Sequence, residues 1–314
     1  MDSSRQELVW GKDGQRRIMN ATVAVVGMGA LGSVSAELLV RAGVGKLIVI
    51  DRDVVEKSNL QRQLLYTQND VGVSKVVAAT KRLLKINSDL RIEKYAVHLD
   101  VNSIQILDKS DIIVDGTDNT NTRFVLNDYA RKKKKILVYG SAIKMSGYAM
   151  AILPQGPCLR CFLQEADLET CDVAGVINTI TPSIAALQVS LVYRILLGEK
   201  VEPTLYHYNI WKGMFCALKV TKRKSCPTCN GRYEYLERQP EAIIRFCSTG
   251  RFQIKGKLKD LKLIMKRWVA IGKVVDDGVS LRLGKIILFA DGRALIEATT
   301  REEAESLYSK YVGN

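Results

Sequence analysis

The chain has 314 residues, 47% hydrophobic and 25% charged, and its 47 Lys and Arg against 33 Asp and Glu leave a net charge of +14. That balance excludes a disordered tail and suits about two folded domains of roughly 150 residues each. Residues 1–20 carry no apolar h-region, and the most apolar long stretch, Val176–Leu197, is interrupted by Asn178, Thr181, Gln188 and Arg194. A secreted or membrane-spanning chain is therefore not expected, and a cytoplasmic location is.

In chain order, Thr22–Val26 reads as a strand, Ala30–Ala42 as a helix and Lys46–Asp51 as a strand. Apolar spacing then predicts a helix over Asp70–Ile86, strands at Arg91–Val97 and Asp111–Asp115, a helix at Phe124–Arg131 and a strand at Ile136–Tyr139. β-Branched runs alternating with helical patterns point to a doubly wound, Rossmann-like and mostly parallel sheet of the α/β class. A buried helix is expected at Ser183–Leu197, with Thr181 as its cap, Pro182 at its first position and Gly198 as its stop. A composition break near Arg238–Glu241 divides the chain into residues 1–238 and a small α+β domain at residues 239–314. The second part reads as a strand (Phe252–Lys255), a helix (Lys257–Trp268), strands at Val269–Val275, Val279–Leu283, Ile286–Phe289 and Ala294–Glu297, and a helix at Thr300–Tyr311. Asp291-Gly292 marks a hairpin turn.

The surplus charge is densest at Arg131-Lys132-Lys133-Lys134-Lys135. That run closes a helix, where cations offset the dipole, and no base-stacking aromatics are interleaved with it. A nucleic-acid groove is not expected.

Gly27-Met28-Gly29-Ala30-Leu31-Gly32 is a GxGxxG loop between a strand and a helix. Glycines allow the backbone to approach a phosphate, and the helix N-terminus offers it free N–H groups. Asp51 ends the next strand, where a carboxylate accepts from ribose hydroxyls. A nicotinamide-dependent oxidoreductase would use the same pair. Arg62 and Lys75 follow closely, however, and suggest a more highly charged triphosphate. Asp115-Gly116-Thr117-Asp118-Asn119 ends a further strand at the same sheet edge, and a carboxylate there can hold Mg²⁺.

Together GMGALG, IDRD, SNLQRQ, VGVSK, DGTDN with Arg123, and CDVAGV resemble the ubiquitin-activating-enzyme-like family, over about residues 5–236. The family includes adenylyltransferases for sulfur-carrier proteins and the ubiquitin-type E1 enzymes. The resemblance implies ATP- and Mg²⁺-dependent adenylation of the C-terminal glycine of a small ubiquitin-like or sulfur-carrier protein ending in Gly-Gly, with release of pyrophosphate. It implies nucleotide contacts from Gly27, Gly29, Ala30, Leu31, Gly32, Asp51, Asp53, Asn59, Arg62, Lys75, Asp118, Asn119 and Arg123, with Asp118 on magnesium. It also implies a homodimer in which Arg5 reaches the ATP of the other subunit. The carboxylate attacks already ionised, so no general base is needed, and His98 and His207 are assigned to structure. A relative that dehydrates a modified adenosine in tRNA is the alternative within the family; the oxidoreductase is the alternative outside it.

The seven cysteines divide by spacing. Cys158, Cys161, Cys226 and Cys229 form two CxxC pairs that match a structural zinc site, with two disulfides as the alternative. Cys216 and Cys247 read as packing residues. Cys171 matches the position of the nucleophilic cysteine in several relatives, which implies a thioester or a persulfide there. Residues 239–314 resemble an appended domain of some relatives and are read as a docking domain, for the carrier or for an E2-like or sulfurtransferase partner, or as a stabilising appendage.

Overall fold

The computed structural model describes residues 2–163, 174–239, 243–246, 250–257 and 259–313. They form two compact units, divided between Arg238 and Gln239.

The first unit opens with α1 (Ser4–Asn20), broken at Gly11, whose φ of 74° no helix accommodates. Then come β1 (Thr22–Val26), α2 (Ala30–Arg41), β2 (Lys46–Ile50), α3 (Lys75–Ile86), β3 (Arg91–Tyr95), β4 (Ile112–Asp115), α4 (Thr120–Lys132) and β5 (Ile136–Ile143). After these the chain turns back through β6 (Ser146–Ile152), α5 (Ile180–Leu196), β7 (Thr204–Asn209) and β8 (Met214–Lys219). The sheet order is β3-β2-β1-β4-β5-β6-β7-β8. It is parallel from β3 to β5 and antiparallel from β5 to β8. Strands β1 and β2 are buried on both faces: Val23, Val25, Leu47 and Val49 pack with α2, α3 and α5, while Ala24, Val26, Ile48 and Ile50 pack with α4. This continuous burial is why those two strands are apolar at successive positions after their first residue rather than at alternate ones.

Several boundaries differ from the sequence reading. The expected helix over Asp70–Ile86 starts only at Lys75, because Gly72 has a φ of 89° and Asp70 closes a turn onto Thr67. The helix expected from Ser183 starts at Ile180. Thr181 is not its cap, since its hydroxyl donates to the Asn178 carbonyl at 3.2 Å. Pro182 sits in the first turn, where its missing N–H costs nothing. Gly198, with a φ of 83°, does stop the helix.

The second unit is a six-stranded antiparallel sheet of order β11-β12-β13-β14-β10-β9. Its strands are β9 (Ile243–Phe246), β10 (Arg251–Ile254), β11 (Val274–Asp276), β12 (Ser280–Leu283), β13 (Ile286–Phe289) and β14 (Ala294–Glu297). Two helices, α6 (Leu261–Val269) and α7 (Arg301–Tyr311), complete its core around Trp268, Phe252, Leu288, Ile296 and Tyr308. Asp260 caps α6, so the helix begins there and not at Lys257. Ile271 and Gly272 hold a turn on the Trp268 carbonyl, so the strand expected from Val269 starts at Val274. Thr300 caps α7 by accepting from the Glu303 N–H.

Candidate active site

The chain ends of β1, β2 and β4 open on a cavity of about 660 Å³ in the first unit. Its floor is a contact between three glycines. Gly27 turns the chain with a φ of 85°, and a Cβ on Gly32 would come within 1.7 Å of the Gly27 carbonyl oxygen. A Cβ on Gly116 would meet that same oxygen at 2.7 Å. Phosphate loop and β4 turn thus touch backbone to backbone. At Gly29, by contrast, a Cβ would meet only Gln63 Nε2, at 3.8 Å, so the loop is open toward the cavity. Gly29 caps α2 with no side chain and no acidic residue in the first turn, which leaves the helix N-terminus to an anion.

Asp51 is buried at the end of β2, and its carboxylate accepts from the Met28 N–H at 2.6 Å and the Asp53 N–H at 2.7 Å. Burial pushes its carboxyl up, against the pull of Lys75. Lys75 is buried at the start of α3, with Nζ 3.4 Å from Asp53. Burial alone would lower its ammonium, but Asp51, Asp53 and Asp118 outweigh it and hold the group above the ordinary lysine value. Tyr66 fixes the loop by donating its hydroxyl to the Met28 carbonyl at 2.7 Å.

Asp118 lies on the cavity wall with an exposed carboxylate. Asn119 caps α4, accepting from the Thr122 N–H at 2.9 Å. Arg123 also lines the cavity, but its guanidinium is occupied: Nε donates to Asp115 at 2.9 Å and the fork bonds the Thr117 and Gly140 carbonyls. Its geometry is that of a brace for the 115–119 turn. Asn59 is buried and lies off the cavity wall, where its carboxamide closes a turn on the Glu56 N–H. Arg62 projects from that turn into the cavity. Ala30, Leu31 and Asp53 line the cavity as well. Arg5 is exposed on α1 and away from the cavity of its own chain. Cys171 and Cys247 lie outside the described residues.

Gln63 and Arg52 line the cavity without having been singled out in the sequence, and His98, read there as structural, lines it too. Gln63 is buried with its Oε1 lacking a hydrogen-bond partner. Arg52 donates to His98 Nδ1 at 3.0 Å, which places His98 on the wall and not in a purely structural position. His207 does pack structurally, stacked on Tyr148 at 4.7 Å. Adjacency to Asp51 and to SNLQRQ was the available signal for Arg52 and Gln63. Beyond Arg123 the wall turns apolar, through Tyr148, Phe162, Leu163, Val176, Leu205 and Leu218.

On the other face of α4, the four thiols of Cys158, Cys161, Cys226 and Cys229 lie within 4.8 Å of one another, with Sγ atoms 3.5 Å apart for Cys158–Cys226 and for Cys161–Cys229. A disulfide needs about 2.05 Å, and the four cysteines are free thiols in this structure. A tetrahedral zinc with Zn–S of about 2.3 Å needs sulfurs about 3.8 Å apart, which the cluster matches. Cys161 is held well below the ordinary thiol range, at about 4, chiefly by its hydrogen bond with Cys158. Two buried residues of α4 hold both knuckles. Asn127 accepts from the Leu159 N–H at 2.8 Å, and Asp128 accepts from the Thr228 hydroxyl at 2.6 Å.

Fold and crevice define a Rossmann-type α/β protein with a four-cysteine knuckle. The chain belongs to the ThiF family, which matches residues 3–228. A sulfur carrier protein ThiS adenylyltransferase of Bacillus subtilis (strain 168) is 36% identical over 332 residues, covering 99% of this chain and 98% of that protein. A SAMP-activating enzyme E1 of Haloferax volcanii is 34% identical over 226 residues, covering 70% of this chain and 84% of that protein. Among solved structures, E. coli MccB with ATP shares the fold, with a TM-score of 0.65 at 20% identity over 72% of this chain and 73% of that one. Among the described residues no helix is long and apolar enough to cross a membrane.

Proposed function

We propose that this protein adenylates the C-terminal glycine of a small ubiquitin-like or sulfur-carrier protein. The observation that carries the reading is the two-ended cavity: a glycine loop with Asp51, Lys75 and Asp118 at one end, and an apolar wall on the antiparallel strands at the other. The charged end suits a nucleoside triphosphate, and the apolar end suits an extended peptide tail. Relatives named for ThiS and SAMP activation support it.

In this reading the N–H groups at Gly29 and Ala30 hold phosphate, and Asp51 takes the ribose. Asp118 is the residue that would hold Mg²⁺, which would supply positive charge against the phosphates. A carboxylate oxygen of the tail attacks the α-phosphorus, and the bond to the bridging oxygen breaks with its electron pair on pyrophosphate. Arg62 and Lys75 reduce the repulsion between the two anions and stabilise the leaving group. Arg5 of the second subunit of a homodimer completes the set. Arg123 holds the turn that carries Asp118. Zinc in the four-cysteine knuckle is structural. The Cys171 thiolate then attacks the acyl-adenylate, forming a thioester as AMP leaves, or it carries a sulfane sulfur accepted from a persulfide donor that leaves as its thiol. Reduced thiols suit a cytoplasmic location.

ATP–pyrophosphate exchange with purified Gly-Gly carriers tests the reading. Exchange that needs a carrier and is lost in Asp118→Ala is expected; exchange with no carrier tried would sink it.

A further inference from the structure

The +5 net charge of residues 239–314 is not spread evenly. Residues 255–275 hold seven basic residues and one acidic one, a surplus of +6, so the remainder of the unit is slightly acidic. That segment contains α6, and the helix is two-sided. Ile264 and Trp268 face the core, and Trp268 Nε1 donates to the Tyr311 carbonyl at 2.9 Å. The outer half presents Lys262, Leu263, Lys266, Arg267 and Val269. Leu263, Val269 and Ile271 are 58%, 59% and 61% exposed. Among the described residues, no carboxylate pairs with Lys262, Lys266 or Arg267.

An apolar centre rimmed by unpaired cations is the complement of an acidic protein surface with an apolar middle. A nucleic acid would match the cations but not three exposed aliphatic side chains. The unit lies within the near full-length match to the B. subtilis relative named for ThiS, while the H. volcanii match covers 70% of this chain. The adenylation fold is thus shared more widely than this unit, which suits a surface that adds partner affinity rather than chemistry.

We infer that the outer face of α6 docks the body of the carrier protein through an acidic surface of that partner, an inference that rests on the adenylation reading. The test uses the full chain, a purified ThiS-type carrier and ATP–pyrophosphate exchange at saturating ATP. Leu263→Asp and the double variant Lys266→Glu/Arg267→Glu are each expected to raise the KM for carrier about tenfold, leaving kcat and the KM for ATP within about twofold. Added salt should raise the KM of the parent protein and barely move that of the charge-reversed one. An unchanged carrier KM in both variants overturns the inference. So does loss of binding to a labelled poly(U) RNA with carrier KM unaltered, which would assign the face to nucleic acid. If the parent protein shows no exchange at all, the adenylation reading has failed. Calorimetric titration of carrier into parent and variant chains then decides the docking face alone, with equal affinities refuting it.

Discussion

Arg123 Nε donates to Asp115 Oδ2 at 2.9 Å, and both side chains are buried beneath the turn that presents Asp118. The same guanidinium bonds two carbonyls, a fork that lysine cannot reproduce. Arg123→Lys should therefore cost about 3 kcal/mol in urea denaturation and raise the KM for ATP together with it. Arg62→Ala should do the reverse. Among the described residues its guanidinium bonds only the Ser58 carbonyl, at 3.3 Å, so stability should stay within about 0.5 kcal/mol while exchange falls about 100-fold.

The Lys75 ammonium has a raised pKa, so the folded chain holds that proton more tightly than the unfolded one. Its stabilising contribution is complete below the unfolded lysine value of about 10.4 and vanishes as pH rises through the higher folded value. Lys75→Met should lose about 3 kcal/mol at neutral pH, because Asp51 and Asp53 are left without their nearest cation. It should also lack the decline that the parent protein shows above about pH 10. Urea midpoints measured across that range check both.

The glycines of the phosphate loop should separate stability from binding. Gly32→Ala drives a methyl into the Gly27 carbonyl and should cost about 3 kcal/mol or abolish folding. Gly29→Ala places its methyl in the open cavity and should fold normally while weakening ATP, as titration calorimetry would show.

One zinc per chain is expected by elemental analysis. Cys226→Ser or a strong chelator should remove it and lower the melting temperature substantially, since a four-thiolate clamp can contribute on the order of 10 kcal/mol. An unaltered melting curve after complete metal loss would contradict a structural role.

Cys171→Ala should leave carrier-dependent exchange within about twofold of the parent protein, because the proposed thiol step comes after adenylation. A thiol-sensitive carrier adduct on denaturing gels should be present in the parent chain and absent in the variant.

How far the sequence could be read follows from burial. Strands β1, β2 and β4 are apolar over most of their length because both faces are covered, and their positions were legible to within a residue, whereas β5 runs four residues past its expected end at Tyr139, to Ile143. Strands β7 and β8 are half-buried or exposed along their length, so neither alternation nor an apolar run marked them. The α1 helix was missed because Gly11 and Gly14 interrupt its pattern; it is held by contacts distant in sequence, Trp10 on Tyr193 at 5.6 Å and Gln15 on the Ala42 carbonyl at 2.9 Å. The glycine loop, Asp51, Lys75 and the cysteine pairs stand in short local patterns and were readable. That Arg123 braces the turn at residues 115–119, and that His98 reaches the cavity, depends on partners 8 and 46 residues away.

Strand β5 is hydrogen-bonded in parallel to β4 and antiparallel to β6, and a two-residue turn at Lys144-Met145 makes the reversal. One register step at that turn would exchange the two faces of β6 and carry Tyr148 away from the cavity. Everything on the β4 side would be untouched. A single inserted residue there could thus yield a chain that still takes the nucleotide but has lost its seat for the second substrate. The two halves of the reaction are separable at one hairpin.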